Sequence, residues 1–287
     1  MPNDDHGPIG IFDSGVGGLT VMRAVVSRLP MEDVIYLGDT ARVPYGNRGA
    51  ETVRRYAENA AQLLVNRQIK ALVVACNTAS AFALDALQSA LSIPVFGVID
   101  PVARRAASYS QAQSIAVLGT RGTIGSNAYQ RRLLNLSPHL NVHPIACPLL
   151  APLVEEGWLE GPVPNHVLNH YLAPLATTDV DTMILGCTHY PLLRPAISQV
   201  TQDILGRSDV ELLDSATATA EALETRLRDL DLLDQHPDTP GTRQFLVTDQ
   251  PEHFVAAATR FFGRSIDGQC HHVDIVDGAH TSLSAIS

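Results

Sequence analysis

The sequence has little charge, few aromatic residues and almost no lysine. Charged residues make up 17% of the 287 residues and aromatic residues 5%, whereas globular proteins average about 25% charged. Lys70 is the only lysine, and the other basic residues are arginines. Hydrophobic residues make up 45% of the chain, which excludes a mainly disordered protein. At about 150 residues per domain, the length predicts two domains.

The charge balance and the short apolar runs exclude several partners. The net charge is −10, without long runs of one sign, so neither nucleic acid nor an anionic membrane surface is favoured. The longest apolar segments, such as ALVVAC and TMILGC, are far shorter than the ~20 residues of a membrane span. The first residues lack the pattern of a signal peptide. The four cysteines form no CxxC pair, so we expect a cytoplasmic protein with reduced thiols.

Short apolar segments alternate with stretches of helical spacing, which predicts an α/β fold with parallel sheets. The apolar segments do not alternate with polar residues, as expected of strands that helices cover on both faces. The predicted strands are 9–12, 34–37, 71–75, 95–99, 115–118, 142–146, 182–185, 211–213 and 244–247. We interpret residues 270–272 as a surface turn beside the last of these strands.

Two segments, ALVVACNTAS and TMILGCTHYP, look like imperfect copies, and DSG at Asp13 and DSA at Asp214 form a weaker pair. These repeats predict two similar doubly wound α/β lobes with mostly parallel sheets. We expect the first lobe at residues 1–98 plus 210–287 and the second at 99–209, with a first crossing at 98–104. Polar clusters follow most predicted strands and so lie at their carboxyl ends. Ligands of α/β proteins bind at this edge of the sheet. The active site is therefore expected in the cleft between the lobes.

Cys76 and Cys187 each follow a predicted strand and precede a predicted helix, where the helix N-terminus should lower the pKa of a thiol. Cys147 and Cys270 lack this context and are expected to be structural. Two such thiols allow three chemistries. A dithiol–disulfide couple is disfavoured because the cysteines are far apart in sequence, and a metal site lacks tight ligand spacing. The third chemistry is a pair of acid–base groups on opposite faces of one carbon, which inverts a stereocentre.

The sequence does not favour the common organic cofactors. A pyridoxal phosphate enzyme needs a lysine for its imine, but Lys70 lies before its strand, away from the polar loops. The GVGG segment lacks the third glycine of a dinucleotide loop. We therefore expect no cofactor and no metal.

Several segments together resemble the bacterial glutamate racemase family. They are IGIFDSGVGGLTV, YLGDTARVPYG, VVACNTASA, CPLLAPLVEEG, LGCTHYPLL and the carboxyl-terminal RQFLVTDQPEHFVAAATRFFGRSIDG. The resemblance implies a cofactor-independent racemase that interconverts L- and D-glutamate and supplies D-glutamate for peptidoglycan. It also implies a homodimer as one expected assembly. The alternatives are an aspartate or hydantoin racemase of the same superfamily, or a binding module for an acidic amino acid with inert thiols.

The resemblance also implies roles for individual residues. Cys76 and Cys187 match the two bases, with Cys76 acting on D-glutamate. Asp13 assists the first cysteine, and His189 and Glu155 lie on the side of the second, where Glu156 is the other candidate. Substrate binding is expected from Asp13, Ser14, Tyr45, Gly46, Asn77, Thr78, Thr120, Thr123, Thr188 and His189. With each sulfur ~3–3.5 Å from the same carbon, the two sulfurs should lie about 7 Å apart around bound substrate.

Overall fold

A computed structural model of the chain describes residues 7–234, 239–266 and 268–275. The strands are β1 (Ile9–Asp13), β2 (Val34–Gly38), β3 (Ala71–Val74), β4 (Val95–Gly97), β5 (Ser114–Gly119), β6 (Asn141–Ala146), β7 (Thr182–Gly186), β8 (Glu211–Asp214), β9 (Arg243–Val247) and β10 (Cys270–His272). The helices are α1 (Leu19–Arg28), α2 (Ala50–Val65), α3 (Asn77–Ala90), α4 (Ile99–Tyr109), α5 (Arg121–Gly125), α6 (Ala128–Leu136), α7 (Leu150–Glu155), α8 (Pro162–Leu172), α9 (Arg194–Leu205), α10 (Ser215–Asp229) and α11 (Pro251–Phe262).

The strands form two separate sheets. The first has the order β10-β9-β2-β1-β3-β4, and the second has the order β6-β5-β7-β8. Neighbouring strands are parallel in every pair that the described residues form. Five of the ten strands among the described residues, β1, β2, β3, β5 and β7, are buried from end to end, because helices cover both faces of a parallel sheet. The predicted α/β fold with two lobes is confirmed.

The two sheets share one strand order. The segment β2-β1-β3-β4 of the first sheet corresponds to β6-β5-β7-β8, the whole of the second. The two repeated segments of the sequence form β3 and β7, which occupy the same position in this order. The prediction that Asp13 and Asp214 occupy equivalent positions is wrong. Along the chain, Asp13 ends the first strand of its sheet (β1), whereas Asp214 ends the fourth strand of the other sheet (β8). Only the cysteine-containing repeat marks equivalent positions.

The chain returns to the first lobe later than the sequence predicts. Strand β8 was expected in the first lobe, but it pairs with β7 from Thr182↔Glu211 to Leu185↔Asp214. This pairing satisfies backbone groups at the edge of the second sheet, so the crossing follows Asp214 rather than residue 210. The outer parts of the expected first lobe, residues 1–6 and 276–287, lie outside the described residues, as do 235–238 and 267.

Two further sequence expectations are corrected. The predicted strand 95–99 ends at Gly97, and helix α4 begins at Ile99, since a carboxylate and a proline are favoured in a first helical turn. The first crossing is therefore made by a helix. Residues 270–272 form a strand rather than a surface turn, with Cys270 paired to Phe245 of β9.

The lobes pack closely on one another. One cluster of buried apolar side chains contains Val16 and Leu19 from the first lobe and Leu185 and Tyr190 from the second. Within the described ranges, no helix is long and apolar enough to pass through a lipid bilayer. The shared core holds the carboxyl ends of the two sheets against each other, where the polar loops lie.

Candidate active site

The candidate site lies at the topological switch point of each sheet, where the connections from two adjacent strands run to opposite sides of the sheet. In the first sheet β1 connects onward to β2 on one side, while its other neighbour is β3, and in the second sheet β5 has the same relation to β6 and β7. Such switch points leave a crevice at the carboxyl ends of the strands. The loops at these points carry Asp13 and Cys76 in one lobe and Thr120 and Cys187 in the other.

Cys76 precedes the first turn of α3 as its N-cap residue. Its side chain is buried, and its thiol donates to the hydroxyl of Ser14 at 3.7 Å. Burial raises the pKa of Cys76 to about 12, and the negative charge of Asp13 adds to this shift. The expectation that the helix N-terminus lowers this pKa is wrong, because a backbone N–H of α3 only partly offsets the loss of solvent. Cys76 is thus a thiol at neutral pH.

Asp13 lies beside Cys76 and is fully buried. Its Oδ2 accepts the backbone N–H of Gly15 at 2.9 Å, and its Oδ1 has no partner within the described part of the chain. Burial raises the pKa of Asp13, while a positive charge on His189 acts in the opposite direction. A carboxylate with one uncommitted oxygen beside a thiol can receive a proton from it or return one.

Cys187 follows β7 and meets a histidine instead of a carboxylate. The first helical segment after it is the short 3-10 helix Tyr190–Leu193. The sulfur of Cys187 lies 3.8 Å from Nδ1 of His189, and Nε2 of that ring lies 2.9 Å from Oε1 of Glu155. Burial alone would lower the pKa of His189, but the hydrogen bonds to Cys187 and Glu155 raise it to about 10. A protonated imidazole has a donor for each partner.

Glu155 is the member of the Glu155-Glu156 pair that contacts His189. It ends α7, and its side chain is 46% exposed. The cysteine of the second lobe is therefore connected to solvent through an imidazole and a carboxylate. Cys76 has no such chain of side chains among the contacts of the described residues.

Three threonines join the lobes above the helix N-termini. The hydroxyl of Thr78, in the first turn of α3, lies 3.0 Å from the hydroxyls of both Thr120 and Thr123. Thr120 is the N-cap of α5, and its hydroxyl accepts the backbone N–H of Thr123 at 3.1 Å. Hydroxyls and helix N–H groups in this position can bind a carboxylate. All three residues were predicted to bind substrate, and they meet in space.

Asn77 is oriented from the opposite lobe. Its Oδ1 accepts the hydroxyl of Tyr129 at 2.6 Å, and the hydroxyl of Ser215 at 3.4 Å. Its buried Nδ2 has no partner within the described ranges, so this amide is free to donate to a ligand. Sequence reasoning missed Tyr129, which is fully buried. No local pattern could have found it, because its partner is 52 residues away and in the other lobe.

Two glycines let loops of the first lobe approach the second. A Cβ on Gly46 would lie 2.7 Å from Cβ of Thr120, and a Cβ on Gly17 would lie 2.3 Å from Oγ1 of Thr188. The hydroxyl of the neighbouring Tyr45 donates to Asp39, so this turn can offer a ligand its backbone rather than that hydroxyl. Only glycine fits at these close approaches.

The cysteines are close enough for their charges to interact. A negative charge on Cys187 raises the pKa of Cys76. All four cysteines are free thiols. Within the described ranges, no group of three or more His, Cys, Asp or Glu side chains is arranged to hold a metal ion. Lys70 lies at the amino end of β3, buried in an ion pair with Glu32 (Nζ to Oε2 2.6 Å).

Comparison with known proteins identifies the family. The model of the Asp/Glu/Hydantoin racemase family matches residues 9–223. The chain belongs to this racemase family. It is 48% identical over 267 residues to a glutamate racemase of Geobacter metallireducens, which covers 93% of this chain and 96% of the relative. The family resemblance read from the sequence motifs is thereby confirmed.

Solved structures of the racemase family match the fold. Glutamate racemase isoform RacE1 from Bacillus anthracis is similar at a TM-score of 0.88 and 42% identity, over 94% of this chain and 98% of that one. Glutamate racemase from Francisella tularensis, solved in complex with D-glutamate, is similar at a TM-score of 0.87 and 33% identity, with the same coverage. Both lobes of this racemase family member are covered by these matches.

Proposed function

We propose that the protein interconverts L- and D-glutamate by proton transfer to and from Cys76 and Cys187. The observation that carries this proposal is the placement of two free, buried thiols at equivalent strand ends of two similar sheets. The names of the similar proteins support glutamate as substrate. In this role the enzyme supplies D-glutamate for peptidoglycan.

The proposed reaction from L-glutamate begins at Cys187. Its thiolate, beside a protonated His189, takes the α-proton, so that an S–H bond forms as the C–H bond breaks. Cys76, a thiol at neutral pH because burial raises its pKa to about 12, then gives its proton to the opposite face of the carbon. Each sulfur now holds the state that the other held before. From D-glutamate the same steps run in reverse.

Both thiols must then return to their starting states. To reset Cys187, His189 first releases a proton to solvent through the half-exposed Glu155, and the neutral imidazole then takes the new proton of Cys187. The sulfur lies 3.8 Å from Nδ1 of His189, and Nε2 of the ring lies 2.9 Å from Oε1 of Glu155. Cys76 can regain a proton from Asp13, whose buried Oδ1, unpartnered among the described residues, takes one from water that enters the cleft when product leaves. We propose that these side chains restore the thiols between turnovers.

The proposed binding groups for the α-carboxylate of glutamate are uncharged. Removing the α-proton adds negative charge next to a carboxylate, so preset donors are needed there. Candidates are the hydroxyls of Thr78, Thr120, Thr123 and Ser14 and the unpartnered amide of Asn77. Helix N-termini at α3 and α5 add N–H groups with favourable dipoles. We also propose a cytoplasmic location, where the two thiols remain reduced, and a homodimer, which size-exclusion chromatography with light scattering would test.

The deciding experiment measures α-proton chemistry directly. The purified protein is incubated in D₂O with L-glutamate, D-glutamate, L-aspartate or a substituted hydantoin, and optical rotation and α-proton exchange are followed by polarimetry and ¹H NMR. We expect racemisation with exchange for glutamate only. Turnover of aspartate or the hydantoin instead would assign another substrate of this family, and glutamate binding without exchange would indicate a binding module. Cys270→Ser, which changes a thiol outside the site, should leave the rates unchanged.

A further inference from the structure

The last turn of α11 reaches across from the first lobe to the end of α7 in the second. Nη1 of Arg260 donates to the backbone carbonyl of Val154 at 3.1 Å and to that of Glu155 at 2.7 Å. A Cβ on Gly157 would lie 3.0 Å from Nη2 of the same arginine, so the guanidinium lies directly against this turn. Arg260 contacts the backbone of Glu155 and leaves its carboxylate to His189.

The residue after Arg260 supports the histidine itself. The ring of Phe261 is fully buried, and its centroid lies 5.1 Å from that of His189 at an interplanar angle of 76°. Edge-to-face packing of this kind restricts the tilt of a ring. Two consecutive residues of α11 therefore contact the two residues that form the Glu155–His189 hydrogen bond, Arg260 through the backbone of Glu155 and Phe261 through the ring of His189.

At the end of α7 the carbonyl of Val154 already accepts the backbone N–H of Gly157 at 3.0 Å, and the carbonyl of Glu155 accepts a hydrogen bond from Nη1 of Arg260. The last carbonyls of a helix have no partner within the helix, and α7 has only 6 residues. A guanidinium is well suited to this position, because a positive charge at a helix C-terminus also interacts favourably with the helix dipole. The side chain of Glu155 is 46% exposed, so its position depends on the backbone that carries it.

We propose that Arg260 is a positioning residue for the acid–base chemistry of Cys187, because it fixes the backbone of Glu155 from the opposite lobe and so holds that carboxylate against His189. This inference rests on the proposed racemase function. Arg260 touches neither reacting sulfur and acts only through Glu155. The second base is thus supported by a helix that belongs to the lobe of the first.

The charged groups that face His189 set the direction of the expected effect. They are Cys187 and Glu155, which raise its pKa, and Asp13, whose carboxylate interacts with its charge. When Arg260 is lost, the hydrogen bond that His189 donates to Glu155 weakens, while Cys187 and Asp13 stay in place. The pKa of His189 should therefore fall, and activity that needs the imidazolium should be lost at a lower pH.

The test compares Arg260→Gln, Arg260→Lys and the control Arg264→Gln. The control removes a guanidinium four residues further along, where it lies over the ring of Phe262 at 4.9 Å. We expect Arg260→Gln to lower kcat/KM about tenfold, in line with the loss of a charge-assisted hydrogen bond, and to shift the alkaline limb of the pH profile downward by about one unit. Arg260→Lys should recover part of both losses, and Arg264→Gln should change neither. Thermal unfolding reports whether each variant folds.

A double-mutant cycle separates positioning from general damage. If Arg260 acts through Glu155, Arg260→Gln should cost less than about twofold once Glu155→Gln is present. Losses that multiply in the double variant, or an unshifted pH profile in Arg260→Gln, would overturn the proposal.

A substrate-free measurement distinguishes this inference from the proposed function. The titration of His189 is followed by ¹⁵N NMR in the wild type and in Arg260→Gln, and its midpoint should fall in the variant. A wild type that racemises no amino acid would refute the proposed function. An unchanged midpoint for His189 would refute the positioning role whatever the outcome with substrate.

Discussion

Each lobe has a cysteine at the carboxyl end of an equivalent strand, Cys76 after β3 and Cys187 after β7, but the neighbours of the two thiols differ. Cys76 has a buried carboxylate and a hydroxyl beside it, and its pKa is raised to about 12. Cys187 has an imidazole, whose own pKa is raised to about 10, and a half-exposed carboxylate beyond it. One thiol is kept protonated, and the other faces a positive charge.

This difference is what a reaction between mirror-image substrates requires. Each turnover must begin with one sulfur as a thiolate that takes the proton and the other as a thiol that gives one. The structure has one sulfur suited to donate a proton and one suited to take it. Four predictions test this inequality, starting with the largest expected effect.

Replacement of either reactive thiol should abolish racemisation but leave α-proton exchange with one of the two enantiomers. Cys76→Ser and Cys187→Ser should each lower the rate by about 10³-fold or more, because a serine hydroxyl is a far weaker acid and base. In D₂O, Cys76→Ser should still exchange the α-proton of L-glutamate, and Cys187→Ser that of D-glutamate, as ¹H NMR would show. Equal exchange of both enantiomers in both variants would contradict the assignment of one face to each thiol.

Removal of the assisting groups should slow both directions but reveal which side is damaged. Asp13→Asn and His189→Asn should each lower kcat/KM by about 10²-fold. Because the enantiomers have equal energies, kcat/KM must fall equally in both directions. The asymmetry appears in isotope effects measured with α-deuterated substrates. Asp13→Asn should increase the effect for D-glutamate, and His189→Asn the effect for L-glutamate, whereas matching changes would refute separate roles.

A change at the contact between the lobes should affect the two sides alike. Gly46→Ala places a Cβ 2.7 Å from Cβ of Thr120, so the lobes must move apart. We expect a loss of about 1–3 kcal/mol in the free energy of unfolding, measured with urea, and a higher KM for both enantiomers. The matched control is Gly49→Ala, where a Cβ meets nothing within 4 Å. A similar loss in the control would remove the contact as the cause.

The smallest effect is expected from the exposed carboxylate. Glu155→Gln weakens the hydrogen bond that helps to raise the pKa of His189 to about 10. The imidazolium then loses its proton at lower pH, so the alkaline limb of the pH–rate profile should move down while the acidic limb stays. Rates at neutral pH should fall about tenfold, at least as far as in Arg260→Gln, because Arg260 acts only through this carboxylate. Glu156→Gln should leave the profile in place, and a shift there would mean that the wrong glutamate has been chosen.

The sequence predicts the strands and their polar loops because those depend on local patterns. Apolar segments and the residues that close them identify β3 and β7, and hence the positions of Cys76 and Cys187. The pKa of Cys76 could not be predicted in this way, because the burial of the thiol in the apolar core of its own lobe depends on tertiary packing. A local motif predicts that Cys76 lies at a helix N-terminus, but it does not predict that the thiol is buried.

Residues that form contacts between the lobes could not be predicted from the sequence either. The hydroxyl of Tyr129 orients Asn77, and Arg260 reaches Glu155 across 105 residues of sequence. Neither residue lies in a recognisable motif for such a contact. The return crossing was placed before β8 for the same reason, since the hydrogen bonds that draw this strand to β7 are between backbones and leave no mark in the side chains.

The burial of Lys70 has a practical consequence. It is the single lysine of the chain, and its side chain is 2% exposed and paired with Glu32. Reagents that acylate, reductively alkylate or cross-link ε-amino groups therefore find no accessible lysine on the folded protein. Modification of Lys70 by such a reagent would therefore report unfolding, with the ε-amino group of this lysine as a built-in probe.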